Sequence, residues 1–318
     1  MVNDLTFKRP RVCILGCGGI GGLHAKNLQW KTDLYFCSRS RLSAYKFNTK
    51  FKGRGLIEDF EALVESDVDA VVVASPPEYH KDQVIALLEA GKAVLVEKPL
   101  CISPEEVAAI EAVVARVEKP LLMVAENYYY KPSLIRLKDM ISKSEIGEVQ
   151  SLFVKKLTTQ KALGWKSAHG ALLEGGIHFV AFVADLFDAK PDPVEAIFPN
   201  YARGPERESL VRMVFEPNVV AELYYSWQTP SVTKGVFQHS YIEGDQGRIV
   251  FESNGIYIRK PQGVGVVWPG LRDLMGYGAM TDDFLSCLRN RDRQPYSGFA
   301  RAKRDLQIVF DAYACMES

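Results

Sequence analysis

Short apolar runs separated by amphipathic stretches fill the first part of the chain. RVCILG (11–16), DLYFCS (33–38), DAVVVAS (69–75), AVLVEKP (93–99) and PLLMVAE (120–126) are nearly continuous in apolar residues. Such runs predict strands of a parallel sheet covered on both faces. Between them, helices are predicted over 19–29, 58–65, 80–90 and 103–117. The last has the clearest start, with Ser103 as N-cap, Pro104 at the first helical position and acids in the first turn. Strand–helix alternation of this kind is α/β and predicts a doubly wound sheet. The second part changes rhythm. From about 148 to 158, and again from 194 to 267, strands succeed one another across turn clusters such as EPN and EGDQG. Succession favours antiparallel pairing. Helices over 131–141, 172–187, 279–289 and 301–316 make this half α+β. Two domains, 1–126 and 127–318, are therefore expected, with the final helix free to pack on either.

Composition narrows the class. Acidic and basic residues balance at 39 each, so no overall basic field points to nucleic acid or an anionic membrane. No apolar run reaches spanning length, and the first residues lack the apolar core of a signal peptide. The six cysteines show no CxxC and no zinc-ligand spacing. A reduced, soluble, cytoplasmic protein without a bound metal is expected.

GCGGIG, residues 16–21, follows the first predicted strand and opens the first predicted helix. In that context Gly16, Gly18, Gly19, Ile20 and Gly21 form a dinucleotide-binding turn. The glycines let the backbone turn tightly and approach a pyrophosphate, while the helix N-terminus offers amides and a positive dipole end. An acid that would accept from a ribose 2′-hydroxyl is expected about 20 residues further on. That place instead reads Ser38, Arg39, Ser40, Arg41. Hydroxyls and guanidinium groups suit a 2′-phosphate, so NADP(H) is expected over NAD(H). Ser75, Pro76 and His80 follow the third long strand, where strand ends face the ligand crevice. His80 could equally be a structural residue at a helix start. Glu174 and His178 stand four apart in LLEGGIHFVAFVADL, so an α-helix would put both on one face, with two glycines between them.

GCGGIGGLHA, ASPPEYH, ALLEAGKAVLVEKPL and GALLEGGIHFV, in that order, make the chain resemble the Gfo/Idh/MocA family of oxidoreductases over nearly all of its 318 residues. The resemblance implies a Rossmann domain joined to a domain with an open-faced, mainly antiparallel sheet, and an active site between them. It implies sugar-like or cyclitol-like substrates, and homodimers or homotetramers formed through the second sheet. Lys98, flanked by Pro99 and by Glu97, which is expected at the cofactor, matches the lysine that contacts the reacting oxygen, and its bond to Pro99 is expected to be cis. Glu174 and His178 match the family's aspartate–histidine motif, with a longer carboxylate. The two glycines between them would leave room for substrate and cofactor. Asn127 is expected near the cofactor; Tyr129, Trp165 and Lys166 are expected near the substrate, together with Lys98, Glu174 and His178. AENYYYKPS departs from the family's arginine-bearing pattern, and Ala181 stands where a further aspartate is common. These departures leave two alternatives to a dehydrogenase: a glycoside-cleaving enzyme that recycles bound nicotinamide, and a non-catalytic sensor of NADP(H) or sugar.

Overall fold

The structure, a computed structural model, describes residues 9–316 except 162, 232, 234, 262–264 and 271; the side chains of residues 164 and 165 also lie outside the described set. The chain forms two compact units. One is the chain through Ala125 with Met280–Phe299; the other is Glu126–Ala279 with the chain from Ala300.

In the first unit, six parallel strands β1 (Arg11–Leu15), β2 (Asp33–Cys37), β3 (Gly55–Leu56), β4 (Ala70–Val73), β5 (Ala93–Val96) and β6 (Leu122–Val124) lie in the order β3-β2-β1-β4-β5-β6. Helices α1 (Gly19–Leu28), α2 (Arg41–Lys50), α3 (Phe60–Glu65), α4 (His80–Glu89) and α5 (Pro104–Arg116) connect them. This is the doubly wound order that reverses direction between β1 and β4, and ligands bind outside the carboxyl ends at that reversal. Every residue of β4 and β5 is buried, as their unbroken apolar runs require.

Helix α2 was not foreseen. Ala44 is its only buried residue, so it carries no apolar stripe to read; its start is fixed instead by Ser40, whose hydroxyl accepts from the Ser43 amide. Residues 280–299, expected in the second domain, fold with the first. Ser297 makes two bonds to the edge strand β6: its carbonyl accepts from the Val124 amide at 2.8 Å, and its hydroxyl donates to the Val124 carbonyl at 2.6 Å.

The second unit contains α6 (Pro132–Ser142), β7 (Val149–Leu157), α7 (Ile177–Phe187), β8 (Val194–Ile197), β9 (Glu208–Phe215), β10 (Val219–Ser226), β11 (His239–Gly244), β12 (Gly247–Glu252), β13 (Ile258–Arg259), β14 (Val266–Val267) and α9 (Phe299–Ala314); α8 (Tyr277–Arg289) begins here and continues in the first unit. The sheet order is β14-β13-β12-β11-β7-β10-β9-β8, antiparallel throughout except for the parallel pair β7–β10. In β9, Val211, Met213 and Phe215 are buried while Leu210, Arg212 and Val214 are half-buried, so one face packs and the other stays open. Helix α7 supplies the packing, with Phe182 against Phe251 and Phe187 against Phe215. Two expectations shift for a backbone reason. Within the expected succession of strands from 194 to 267, β11 begins only at His239, because Gly235 and Phe237 before it adopt φ of +84° and +57°. The segment 172–187 is one π-helical turn, Leu172–Gly176, followed by α7 rather than a continuous α-helix.

Candidate active site

The first unit carries a cradle for a dinucleotide. Gly16 has φ +108°, and a Cβ there would stand 2.5 Å from the Ala74 carbonyl oxygen at the end of β4. A Cβ on Gly21 would meet the Gly16 oxygen at 2.0 Å, so only glycine lets α1 approach the loop so closely. Gly18 and Gly19 differ: nothing described lies within 4 Å of a Cβ placed on either. The loop is thus tight where it packs on protein and open where α1 begins. Gly18 is the N-cap of α1, makes no side-chain cap, and no acid lies in the first turn, where Ile20 follows Gly19. Amides there suit a phosphate.

Arg39 lies at the carboxyl end of β2, exposed, with its guanidinium 5.4 Å from the centre of the Tyr79 ring. Tyr79, also exposed, was not singled out from sequence. Ser38 and Arg41 flank the same helix start, while the Ser40 hydroxyl is committed to capping α2.

Lys98 is half-buried and its bond to Pro99 is cis. Its neighbours are held by two buried histidines. Glu97 meets His24 Nε2 through Oε1 at 2.7 Å and accepts from the Lys98 amide through Oε2 at 3.2 Å. His80 stands 2.9 Å from the carbonyls of both Pro99 and Ser75 through its two ring nitrogens. Burial lowers the His80 pKa, against the pull of those two carbonyls. These contacts correct the expectation for Glu97 and decide between the two readings open for His80. Glu97 and His80 brace the lysine turn and the end of β4 rather than facing a ligand, and His80 has no exposed surface. Ser75 and Pro76 are half-buried just past the end of β4.

The second unit begins with a carboxylate that sequence reading passed over. Glu126, buried, lies 2.7 Å (Oε1) and 2.9 Å (Oε2) from His178 Nδ1, and Oε1 also accepts from the Tyr128 amide at 3.0 Å. The Tyr128 ring stacks on the imidazole, with centroids 4.7 Å apart and planes 14° from parallel. A carboxylate facing Nδ1 selects the tautomer that donates from Nδ1 and leaves Nε2 as acceptor. The acid at the end of β6, immediately before Asn127, was the available signal.

Glu174 takes a different partner: Lys166 Nζ lies 2.9 Å from its Oε1. The expected pairing of Glu174 and His178 on one α-helical face therefore gives way, because Glu174 sits in the wider π turn while His178 sits in α7. The glycines between them do not make room for ligand either. A Cβ on Gly175 would stand 2.1 Å from the Tyr225 hydroxyl oxygen, which already accepts from Trp227 Nε1 at 2.9 Å. Gly175→Ala should lower stability by about 1–3 kcal/mol, read as a fall in the thermal midpoint. An unchanged midpoint would show that Tyr225 yields freely.

The π turn has no side-chain cap of its own. Glu206, buried, accepts from the amides of Ala171 (2.7 Å) and Leu172 (2.8 Å), and from the Tyr313 hydroxyl at 2.6 Å. Asn127 is buried; its Nδ2 donates to the Met275 carbonyl at 2.6 Å, and its Oδ1 has no hydrogen-bond partner among the described residues. Tyr129 is a correction. It is buried, its hydroxyl meets Asp305, and Arg304 stands 3.3 Å from it, so it belongs to the packing of α9 rather than to a substrate wall. The Trp165 side chain lies outside the described residues.

A six-stranded parallel sheet in Rossmann order, an open glycine turn and a carboxylate-held histidine in a second α+β unit define the class as a nicotinamide-dinucleotide-binding oxidoreductase fold. Residues 10–126 match the oxidoreductase family with an NAD-binding Rossmann fold, and residues 134–250 match the GFO/IDH/MocA C-terminal domain. The chain belongs to the Gfo/Idh/MocA oxidoreductase family. Inositol 2-dehydrogenase of Rhodococcus erythropolis is 28% identical over 60% of this chain and 56% of its own length. Glucose-6-phosphate 3-dehydrogenase of Bacillus subtilis is 29% identical over 56% and 54%. The matched stretches thus span little more than half of these relatives. Among solved structures, GenD2 from gentamicin A biosynthesis in complex with NAD superposes with a TM-score of 0.81 at 20% identity, over 98% of this chain and 95% of that one. Levoglucosan dehydrogenase with NADH and levoglucosan gives 0.84 at 20%, over 97% of each. At these identities the likeness concerns the fold. No helix among the described residues is long and apolar enough to cross a membrane.

Proposed function

We propose that the protein is an NADP(H)-dependent oxidoreductase acting on a hydroxyl/carbonyl pair of a sugar, cyclitol or related polyol. The observation that carries this reading is the Glu126–His178 pair, an imidazole oriented by a buried carboxylate with Nε2 left for proton exchange. Oxidising an alcohol requires loss of its hydroxyl proton, and a neutral imidazole is suited to take it. Glu126 stabilises the imidazolium that results. Lys98 polarises the reacting oxygen and offsets the negative charge that develops on it. Glu174, held by Lys166, orients a substrate hydroxyl. The nicotinamide, when bound, accepts or gives the hydride. Gly18 and Gly19 would admit its pyrophosphate, and Asn127 Oδ1 offers a spare acceptor.

NADP(H) is favoured by the same end of β2 that lacks an acid. The α2 amides, Ser38, Arg39 and Arg41 gather donors there, and Arg39 with Tyr79 presents a planar pair suited to an adenine. Arg39→Ala should raise the KM for NADP at least about tenfold and that for NAD by less than about twofold. Equal loss for both cofactors would remove the 2′-phosphate argument. The relatives named above make sugars and cyclitols the first substrates to try. The direct test is nicotinamide absorbance with NADP⁺ and NAD⁺ against free sugars, polyols, cyclitols and glycosides. Reduced cofactor with one substrate class supports a dehydrogenase. A free sugar released without net reduction would favour internal recycling of the nicotinamide instead. The open face of the second sheet, with Phe153, Tyr224 and Tyr241 half-buried, is the surface we assign to self-association.

A further inference from the structure

Lys131 is fully buried. Its ammonium lies 4.2 Å from the centre of the Tyr128 ring and 4.0 Å from Met275 Sδ, two partners without formal charge. The charged groups that bear on it are Glu252, Lys156 and Glu126. Glu252 is occupied by the amides of Phe237, Asn254 and Ile256 and by Asn254 Nδ2. Lys156 donates to the Gly235 carbonyl and to Asn254 Oδ1. Among the described residues, the Tyr128 face and the Met275 sulfur are the close contacts of the Lys131 ammonium, while Glu252 is the leading charge that favours it. Burying an ammonium is costly unless something specific holds it, and a methionine would fill similar space without that cost. Beside the field of Glu252, the group in contact with it is the ring that stacks on His178, whose Nδ1 in turn meets Glu126. Ammonium, phenol, imidazole and carboxylate follow one another in contact.

We propose that Lys131 is a positioning residue for the His178–Glu126 pair: its cation holds the Tyr128 ring against the imidazole and so fixes the plane of His178. The role assigned here rests on the reading of His178 as the proton-exchanging group. A cation is drawn to the negative face of an aromatic ring, and a neutral amine is not. Burial brings Lys131 down to about 8, with Glu252 and Glu126 opposing and Lys156 assisting. The clamp is thus set below pH 8 and released above it. Tyr128 itself is pushed far up by burial, with Glu126, Tyr225, Tyr277 and Glu252 adding to the shift, so its hydroxyl does not titrate in this range.

The test reads the ring directly. In ¹H–¹³C spectra the His178 resonance, identified by its loss in His178→Gln, should step with a midpoint near pH 8. The step should vanish in Lys131→Met and survive in Tyr128→Phe, which keeps the aromatic face. A step that persists in Lys131→Met, or no step in the unaltered protein, overturns the proposal. Turnover gives a second reading. kcat should fall above pH 8 in the unaltered protein, lie about tenfold lower and flat in Lys131→Met, and hold above pH 8 in Lys131→Arg, whose guanidinium stays charged. A falling limb in all three would overturn it. If no sugar is turned over, the enzyme reading fails while the resonance still decides the clamp.

Discussion

Lys98→Met should reduce turnover about a hundredfold to a thousandfold while leaving the dissociation constant for NADP(H) within about threefold. Methionine keeps most of the length and the apolar stem of lysine and removes the charge with its N–H donors. The loss then falls on the step in which negative charge builds on the substrate oxygen, where one preorganised donor is worth about two to three orders of magnitude in rate. Cofactor binding should be spared because the backbone around Lys98 has anchors of its own. Glu97 is held by His24, the Pro99 carbonyl by His80, and the glycine turn packs on Ala74. The check pairs steady-state absorbance with calorimetric titration of the cofactor. Turnover within tenfold of the unaltered enzyme would remove Lys98 from the chemistry. Parallel loss of binding and turnover would mean that the substitution had disturbed the turn.

The parts of this site that were legible in the sequence are those whose chemistry is local. A strand, a glycine turn and a helix start within 20 residues announce a phosphate cradle, and the lysine between Glu97 and Pro99 is a compact pattern. What escaped depends on residues meeting across the fold. His24 and Glu97 are 73 positions apart, Glu126 and His178 are 52 apart, and neither spacing carries a periodic signature. Helix α2 escaped for the opposite reason: it is local but lacks an apolar stripe. Glu174 was misjudged through an assumption of regular geometry. Four residues mean one α-helical turn only where the helix is α, and here the π turn ends just before His178. The glycines beside it looked like space for a ligand because a sequence does not reveal that Tyr225 occupies that space. Tyr129 is expected near the substrate from sequence, yet it is buried.

Glu126→Gln should lower kcat by about two to four orders of magnitude, with little change in cofactor affinity. The exchange is nearly isosteric, so packing beneath Tyr128 is kept, but two electrostatic conditions are lost. The first is charge. A carboxylate 2.7 Å from Nδ1 stabilises the imidazolium formed when Nε2 takes the substrate proton, and an amide does not. The second is the tautomer. Oε1 accepts from the Tyr128 amide at 3.0 Å, which favours keeping the glutamine oxygen at that place and turning its NH₂ to the Oε2 position, 2.9 Å from Nδ1. An NH₂ there donates to Nδ1 and drives the ring proton onto Nε2, so the nitrogen meant to accept the proton already carries one. Glu126→Asp offers the matching control. It keeps the charge but shortens the reach by one methylene, so it should recover part of the loss where glutamine recovers none. Asparagine and glutamine behaving alike, with aspartate no better than either, would mean that Glu126 serves packing alone and that His178 receives its orientation from the Tyr128 stack.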